Sequence, residues 1–278
     1  MDRTLKKKRE WTVLSVIGLL ILILFAVVCI APFVYMAIMS FTQSKTLMLH
    51  WDDVHLTDLS NFQYVLGKDN FLRALLNSVI VVGCSCFFNC IIASMAAFGF
   101  AKKRFPGRNI LFSIYLFTLM IPGQVTMIPV FIMMNKANLL NTYFSLIVLI
   151  LNAFGVFLIR SFMDTVPDEL LEAAKVDGCP EYRVFIQIVL PLIKPVLVSL
   201  VVFTFVTSWN DFLWPLVATS DSSMYTLTVS LSLLKTQYAA NYGLIMAGAT
   251  VSFLFPFILY VFLQKQFVEG IALSGIKG

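Results

Sequence analysis

Six stretches of the chain run for a helix length or more with almost no charge. Residues 11–44, 74–101, 109–135, 137–159 and 236–264 contain no Asp, Glu, Lys or Arg, and residues 195–220 contain only Asp211. About 20 apolar residues are needed for a helix to cross ~30 Å of hydrocarbon. Within lipid a helix also satisfies its own backbone groups. The pattern therefore predicts an all-α membrane protein with six transmembrane helices and both chain ends on one side. Pro122 and Pro129 in the third run and Pro256 in the sixth mark places where a helix can bend.

The polar connections are uneven. Residues 45–73 and 221–235 read as polar loops on one side, 135–142 as a tight turn, and 160–194 as the longest loop on the other. Basic residues decide which side is which. The N-terminus (Arg3, Lys6, Lys7, Lys8, Arg9), the loop after the second run (Lys102, Lys103, Arg104, Arg108), the 160–194 loop (Arg160, Lys175, Arg183, Lys194) and the C-terminus (Lys265, Lys277) hold fifteen Lys and Arg, against five on the opposite side. The positive-inside rule then places both termini in the cytoplasm. The expected organisation is a basic cytoplasmic N-terminus (1–10), a six-helix membrane domain (11–264) and a cytoplasmic tail (265–278). Lys6 to Arg9 resemble the head of a signal peptide, but the apolar stretch that follows is too long and lacks a small-x-small cleavage site, so it reads as an uncleaved first span.

Composition removes the soluble alternatives. Of 278 residues, 59% are hydrophobic and only 13% charged, with mean hydropathy +0.89. Ordinary soluble domains are about 25% charged. The five cysteines form no disulfide-type framework, and Cys84, Cys86 and Cys90 read as small packing residues of one helix. No G-x-x-x-x-G-K-[ST] loop and no nucleophile, base and acid set is present. The chain is predicted not to be an enzyme, to hold no cofactor or metal of its own, and to bind no nucleic acid.

The 160–194 loop is patterned as structure. From Pro167, through Asp168 and Glu169, to Gly178, the sequence reads as a short helix. The acids favour its positive end, Glu172, Ala173 and Ala174 propagate it, and Gly178 suits a left-handed cap. Pro180 and Glu181 open a second helix, whose Tyr182, Phe185, Ile186 and Val189 share one face, and Pro191 and Pro195 are expected to end it. Such a pair could lie on lipid or dock to a protein. Six carboxylates in the loop against four basic residues favour protein, because a headgroup-binding segment is net basic.

Glu172-Ala173-Ala174, Gly178 four positions on, and Ile188-x-Leu190-Pro191 resemble the EAA loop of ABC-importer permeases. Asn77-Ser78, Ile121-Pro122-x-Gln124, Met127-Ile128-Pro129 and Trp209-Asn210-Asp211-Phe212 are similar to the carbohydrate-uptake branch, and within it to the maltose-permease G-type subunits. The ending Gly275-Ile276-Lys277-Gly278 is similar to their tail, although Ile271-Ala272-Leu273-Ser274 departs from the commoner T-A-G-A-V pattern. The resemblance implies that Glu172, Ala173, Ala174, Asp177, Gly178, Tyr182, Phe185, Ile188, Leu190 and Pro191 couple to an ATPase, with Glu172 pairing a basic residue there. It implies that Gly275, Lys277 and Gly278 reach between two ATPases. It also implies a second homologous permease, two ATP-binding subunits using ATP and Mg, and an extracytoplasmic solute-binding protein, at the cytoplasmic (inner) membrane of a prokaryote. Residues 221–242, with Tyr225 and Tyr238, are either a contact for that binding protein or a plain connector, and 45–73 is a second candidate.

A neutral, hydroxyl-rich sugar needs amides, hydroxyls and aromatic faces along its path. Asn89, Gln124, Thr126, Asn152, Thr204, Ser208, Trp209, Asn210 and Thr250 supply them, although such groups also bond helix to helix. Asp211 either lines the path or holds helices together, and a structural or gate role is favoured. The alternatives are a secondary transporter acting alone, which would use intramembrane acid or base relays, and an importer of a polyol or glycerol-phosphate.

Overall fold

The computed structural model describes residues 13–67 and 70–275. The basic cluster from Arg3 to Arg9, and Lys277 and Gly278, lie outside the described residues. Apart from one isolated bridge between Thr42 and Val54, the regular structure among the described residues is helical. The chain contacts group it into two compact units, residues up to 65 with 238–251, and residues 66–237 with 252–278.

The first unit is built on α1 (Val13–Met39). Its residues Leu20, Leu24, Phe25 and Val28 are all exposed, the condition of a helix that faces lipid. The polar stretch after it is not a simple loop. It contains a 3₁₀ turn, Trp51–Asp53, and the start of α2 (Ser60–Gly67). Asn61 on α2 is buried and donates to the carbonyls of Ser40 at 3.0 Å and Thr42 at 2.7 Å. These bonds fix the chain leaving α1. Gly243 sits against the same carbonyl, so closely that a Cβ there would lie 1.8 Å from Thr42 O. The Tyr64 and Tyr238 hydroxyls meet at 2.6 Å.

The second unit is arranged around α3 (Phe71–Lys102), a 32-residue helix. It is followed by α4 (Arg108–Phe117), a 3₁₀ turn Thr118–Met120, and α5 (Gly123–Lys136). Next come α6 (Tyr143–Val148), α7 (Ala153–Met163), α8 (Asp168–Val176), α9 (Glu181–Arg183), a π-helical turn Val184–Val189, and α10 (Leu190–Leu192). The chain continues through α11 (Lys194–Trp209), α12 (Leu213–Ala218), α13 (Leu227–Gln237) and α14 (Tyr242–Gly275), of which the part from Ser252 belongs to this unit. α3 packs along α7 and α11. Gly155 of α7 is what lets these helices approach, because a Cβ there would meet Ala93, Asn89 and Leu200, each at 3.1 Å. Small residues at crossings are the usual route to close packing in membranes.

Among the described residues, three helices are long and apolar enough to span a membrane alone: Ser15–Met39, Phe71–Lys102 and Tyr242–Phe262. Two bent pairs raise the number to five. Arg108–Met120 and Gly123–Lys136 turn through 101°, and Glu181–Leu192 and Lys194–Trp209 through 76°. Among the described residues this gives three to five spans against the six expected, with interruptions in three of the runs. The third run breaks at Pro122, the fourth between Leu149 and Asn152, and the fifth between Asn210 and Phe212. Pro129 and Pro256, by contrast, lie inside continuous helices. Residues 221–235 are not a loop either: α13 buries Leu227, Val229 and Leu234.

At the end of α3 far from Lys102, Asn77 and Ser78 fasten this region. Asn77 Nδ2 donates to the carbonyls of Ser223 and Tyr225, both at 2.9 Å, and its Oδ1 accepts from the Tyr143 hydroxyl at 2.7 Å. Ser78 Oγ accepts the Leu227 N–H at 2.8 Å.

Candidate functional site

Two features of the second unit gather the residues singled out in the sequence. The first is the foot formed by α8 to α10. Pro167 occupies the position before the first turn of α8, one residue earlier than a first helical position, and Asp168 and Glu169 sit in that turn. At the other end Gly178 has φ +73°. The Cys179 N–H bonds Ala174 O at 2.9 Å and the Gly178 N–H bonds Lys175 O at 3.0 Å. That pair of bonds is a Schellman cap, which needs a left-handed residue and favours glycine.

The foot is bolted to α3. Lys102 Nζ bonds Asp168 Oδ1 at 2.7 Å and Val166 O at 2.6 Å, and Lys103 pairs with Glu181 while lying 4.8 Å from the centre of the Phe98 ring. The Lys102 hydrogen bond holds the Asp168 carboxyl below its ordinary pKa. Burial, and then the charge of Lys175, lower the pKa of Lys103.

The inner side of the foot is apolar. Leu171, Ala174, Val184, Val189 and Ile193 join a core with Ala93 and Ala97 of α3 and Val156 and Ile159 of α7. This corrects the predicted face. Of the four residues expected on it, Val189 is buried and Phe185 packs against the core, whereas Tyr182 and Ile186 are 61% and 55% exposed and Val184 and Ile193 are buried in their place. From Val184 to Val189 the helix runs as a π turn, closed by the Leu190 N–H on Phe185 O. One extra residue in the turn rotates everything after it. It also makes room for Pro191, which is expected to end the helix but lies inside α10.

The coupling set therefore divides. Glu172, Ala173, Asp177, Gly178, Tyr182 and Pro191 are exposed, whereas Ala174 is buried and Phe185, Ile188 and Leu190 pack inward. The last four hold the foot in place and present little surface to a partner. Val176, which the motif did not single out, is the most exposed apolar residue of the foot at 87%. Gly275 ends the helix α14.

The second feature is a cavity of about 490 Å³ where the three helix breaks meet. Gln124 and Thr126 reach it from α5, Asn152 from the start of α7, and Asn210 and Asp211 from the end of α11, with Thr207 and Trp214 beside them. Among the described residues, its lining contains no Lys or Arg. Each break is stabilised locally. Asn152 accepts the Phe154 N–H at 3.0 Å and so caps α7. The Asp211 carboxylate takes backbone hydrogen bonds from Phe212 and Trp214 at the start of α12. Trp214 Nε1 donates to Ser145 O at 2.8 Å. Irregular backbone at membrane depth is tolerated where it lines a cavity.

The other expected path residues are elsewhere. Asn89 donates to Thr204 Oγ1 at 2.9 Å, a buried bond between α3 and α11. Trp209 is stacked between Phe205 and Phe255, with centroids 5.9 Å and 4.7 Å away. Thr250 bonds Met246 O, and Ser208 is buried outside the cavity lining. Thr207, missed in the sequence, faces the cavity, and only its place one turn before Asp211 could have signalled it.

A multi-pass helical protein with a polar hollow at its helix breaks and a structured foot has the construction of a transport permease. The comparisons bear directly on this. The family model for the binding-protein-dependent transport system inner membrane component matches residues 90–272. The arabinooligosaccharides transport system permease protein AraQ of Halalkalibacterium halodurans is 35% identical over 264 residues, covering 91% of this chain and 93% of that one. The lactose transport system permease protein LacG of Rhizobium radiobacter is 33% identical, covering 72% and 74%. The fold is similar to that of a bacterial ABC transporter involved in import of the acidic polysaccharide alginate, at TM-score 0.79 and 23% identity, covering 92% of this chain and 97% of that one. The chain belongs to the family of binding-protein-dependent transport system inner membrane components. It is a permease subunit and not an enzyme.

Proposed function

We propose that this chain forms one half of a sugar pathway in the inner membrane of a prokaryote, with its basic end and both termini in the cytoplasm. A second homologous permease completes the path, two ATPases dock on the foot, and an extracytoplasmic binding protein delivers the solute. The observation that carries the reading is the position of α11. It leaves the foot at Ile193 and ends at Asn210 on the cavity rim. At 1.5 Å per residue its 16 residues form a rod of about 24 Å. A displacement of the foot by closing ATPases is thus delivered to the cavity through one rigid element, as alternating access requires of a contact that differs between two states.

A cavity of amides, hydroxyls, Trp214 and the Asp211 carboxylate, with no basic residue among the described residues that line it, suits a neutral oligosaccharide or monosaccharide better than an anion. It disfavours glycerol-phosphate, the solute in the name of a 36% identical relative from Yersinia pestis. ATP and Mg act in the separate ATPases, and this chain holds no cofactor. The test is purification from the source in mild detergent. An ATPase and a second permease are expected to accompany the chain. Sugar accumulation by this chain alone in vesicles would overturn the reading.

A further inference from the structure

Four basic residues cluster just after α3, and they divide into two kinds. Lys102 and Lys103 are committed to Asp168 and Glu181 of the foot. Among the described residues these are the only ion pairs, so neither Arg104 nor Arg108 is in salt-bridge contact with a carboxylate, although the charge of Arg104 acts on Asp168. Both arginines line a recess of about 430 Å³, together with Phe105, Gly107, Asn109 and Ile110. Gly107, at φ +79°, turns the chain so that α4 begins in the recess, and Arg108 Nη1 braces the turn on Lys103 O at 3.2 Å. The side chains that lead away from the recess along α4 are apolar and unpartnered. Ile110, Ile114 and Phe117, spaced by four and three, are 70%, 58% and 63% exposed. That spacing puts them on one face of the helix.

We infer that this recess binds the headgroup of an anionic phospholipid, with Arg104 and Arg108 on the phosphate and the acyl chains along Ile110, Ile114 and Phe117. A soluble phosphate would use the two arginines but not the apolar track. A docked protein would need acids to match the arginines and would bury a face that begins at the membrane surface. The combination of a basic pocket and an adjoining apolar stripe at a helix end fits a lipid, and basic pockets beside membrane helices are a known headgroup chemistry. The inference uses the proposed orientation only to assign the leaflet. It stands or falls independently of the ATPase coupling.

The test is native mass spectrometry of the purified chain, with whatever subunits accompany it, titrated with phosphatidylglycerol and with phosphatidylcholine. The wild type is expected to retain one phosphatidylglycerol selectively, and millimolar inorganic phosphate is expected not to displace it. Arg104→Ala with Arg108→Ala is expected to weaken retention roughly 30-fold, from ~1 kcal/mol per basic residue. Arg104→Lys with Arg108→Lys keeps the charge and is expected to lose only a few-fold. If the double alanine variant does not reach the membrane, Arg104→Ala alone is read, with a roughly fivefold loss expected. Equal retention by wild type and alanine variants, equal binding of the two lipids, or displacement by phosphate would overturn the inference. So would a recess shielded from hydrogen exchange only when other subunits are present and indifferent to phosphatidylglycerol, which would make a protein the occupant.

Discussion

Substitution of Gly178 separates the folding of the foot from its action on a partner. A Cβ at this position would meet no atom within 4 Å, so the cost of a side chain is confined to the backbone at φ +73°. An L-residue in that conformation costs ~1–2 kcal/mol, whereas Asn adopts it more readily. Gly178→Ala is therefore expected to open the cap at the end of α8 roughly five- to thirtyfold more often. Hydrogen exchange at Gly178 and Cys179, whose amides bond Lys175 O and Ala174 O, reads this directly. Gly178→Asn is expected to exchange closer to wild type. Gly178→Asp keeps the turn but adds a charge to an exposed surface that already carries Glu172 and Asp177. In vesicles containing the assembled transporter it is expected to lower sugar uptake roughly tenfold or more while ATP hydrolysis continues. Wild-type uptake in Gly178→Asp would refute the lever assignment. Unchanged exchange in Gly178→Ala would refute the strain argument behind it.

Three further outcomes are expected. Asp211→Asn retains acceptors at the start of α12, so the protein should assemble normally but take up solute more slowly, and full transport would remove Asp211 from the mechanism. Gly243→Ala drives a methyl into Thr42 O and should destabilise the first unit by ~1–3 kcal/mol, seen as a lower thermal midpoint in detergent, whereas Gly18→Ala, where nothing lies within 4 Å, should not. The Lys102–Asp168 tether lowers the Asp168 pKa below 3.8, so its stabilisation is complete above that value and is lost only as pH falls through the lower folded pKa. Hydrogen exchange across α8 should therefore not change between about pH 8 and about pH 5 on account of this pair.

The helical membrane character of this chain was legible because charge-free runs of helix length have few other uses. The foot was legible too: the acids after Pro167 and the glycine at 178 report helix ends that the backbone adopts. The breaks were harder to read. Pro122 breaks its run while Pro129 and Pro256 do not, because neighbouring turns can take up a proline inside a helix, and no proline marks the breaks at Asn152 and Asn210. Those two depend on side-chain capping by Asn152 and Asp211, a local competition that hydropathy does not register. The face of the second foot helix was read in part: Phe185 and Val189 pack inward as the period predicts, but a uniform 3.6 residues per turn also selects Ile186, which lies within a π turn and is exposed, and passes over Val184, which is buried. The bond between Asn89 and Thr204 was not legible either, because an amide and a hydroxyl carry no label saying that their partner is each other.

The convergence of three helix interruptions on one hollow also bears on how such a protein diversifies. The opening amides of α5, α7 and α12 are main-chain groups, and the first N–H groups of any helix have no partner within it, although Asn152 takes that of Phe154 and Asp211 those of Phe212 and Trp214. They stay whatever side chains mutation installs. A lineage can thus exchange Gln124, Thr126 or Asn210 while the hollow keeps a hydrophilic floor. For the same reason, an alanine scan of the hollow will understate how much of its affinity for water and hydroxyls the backbone supplies.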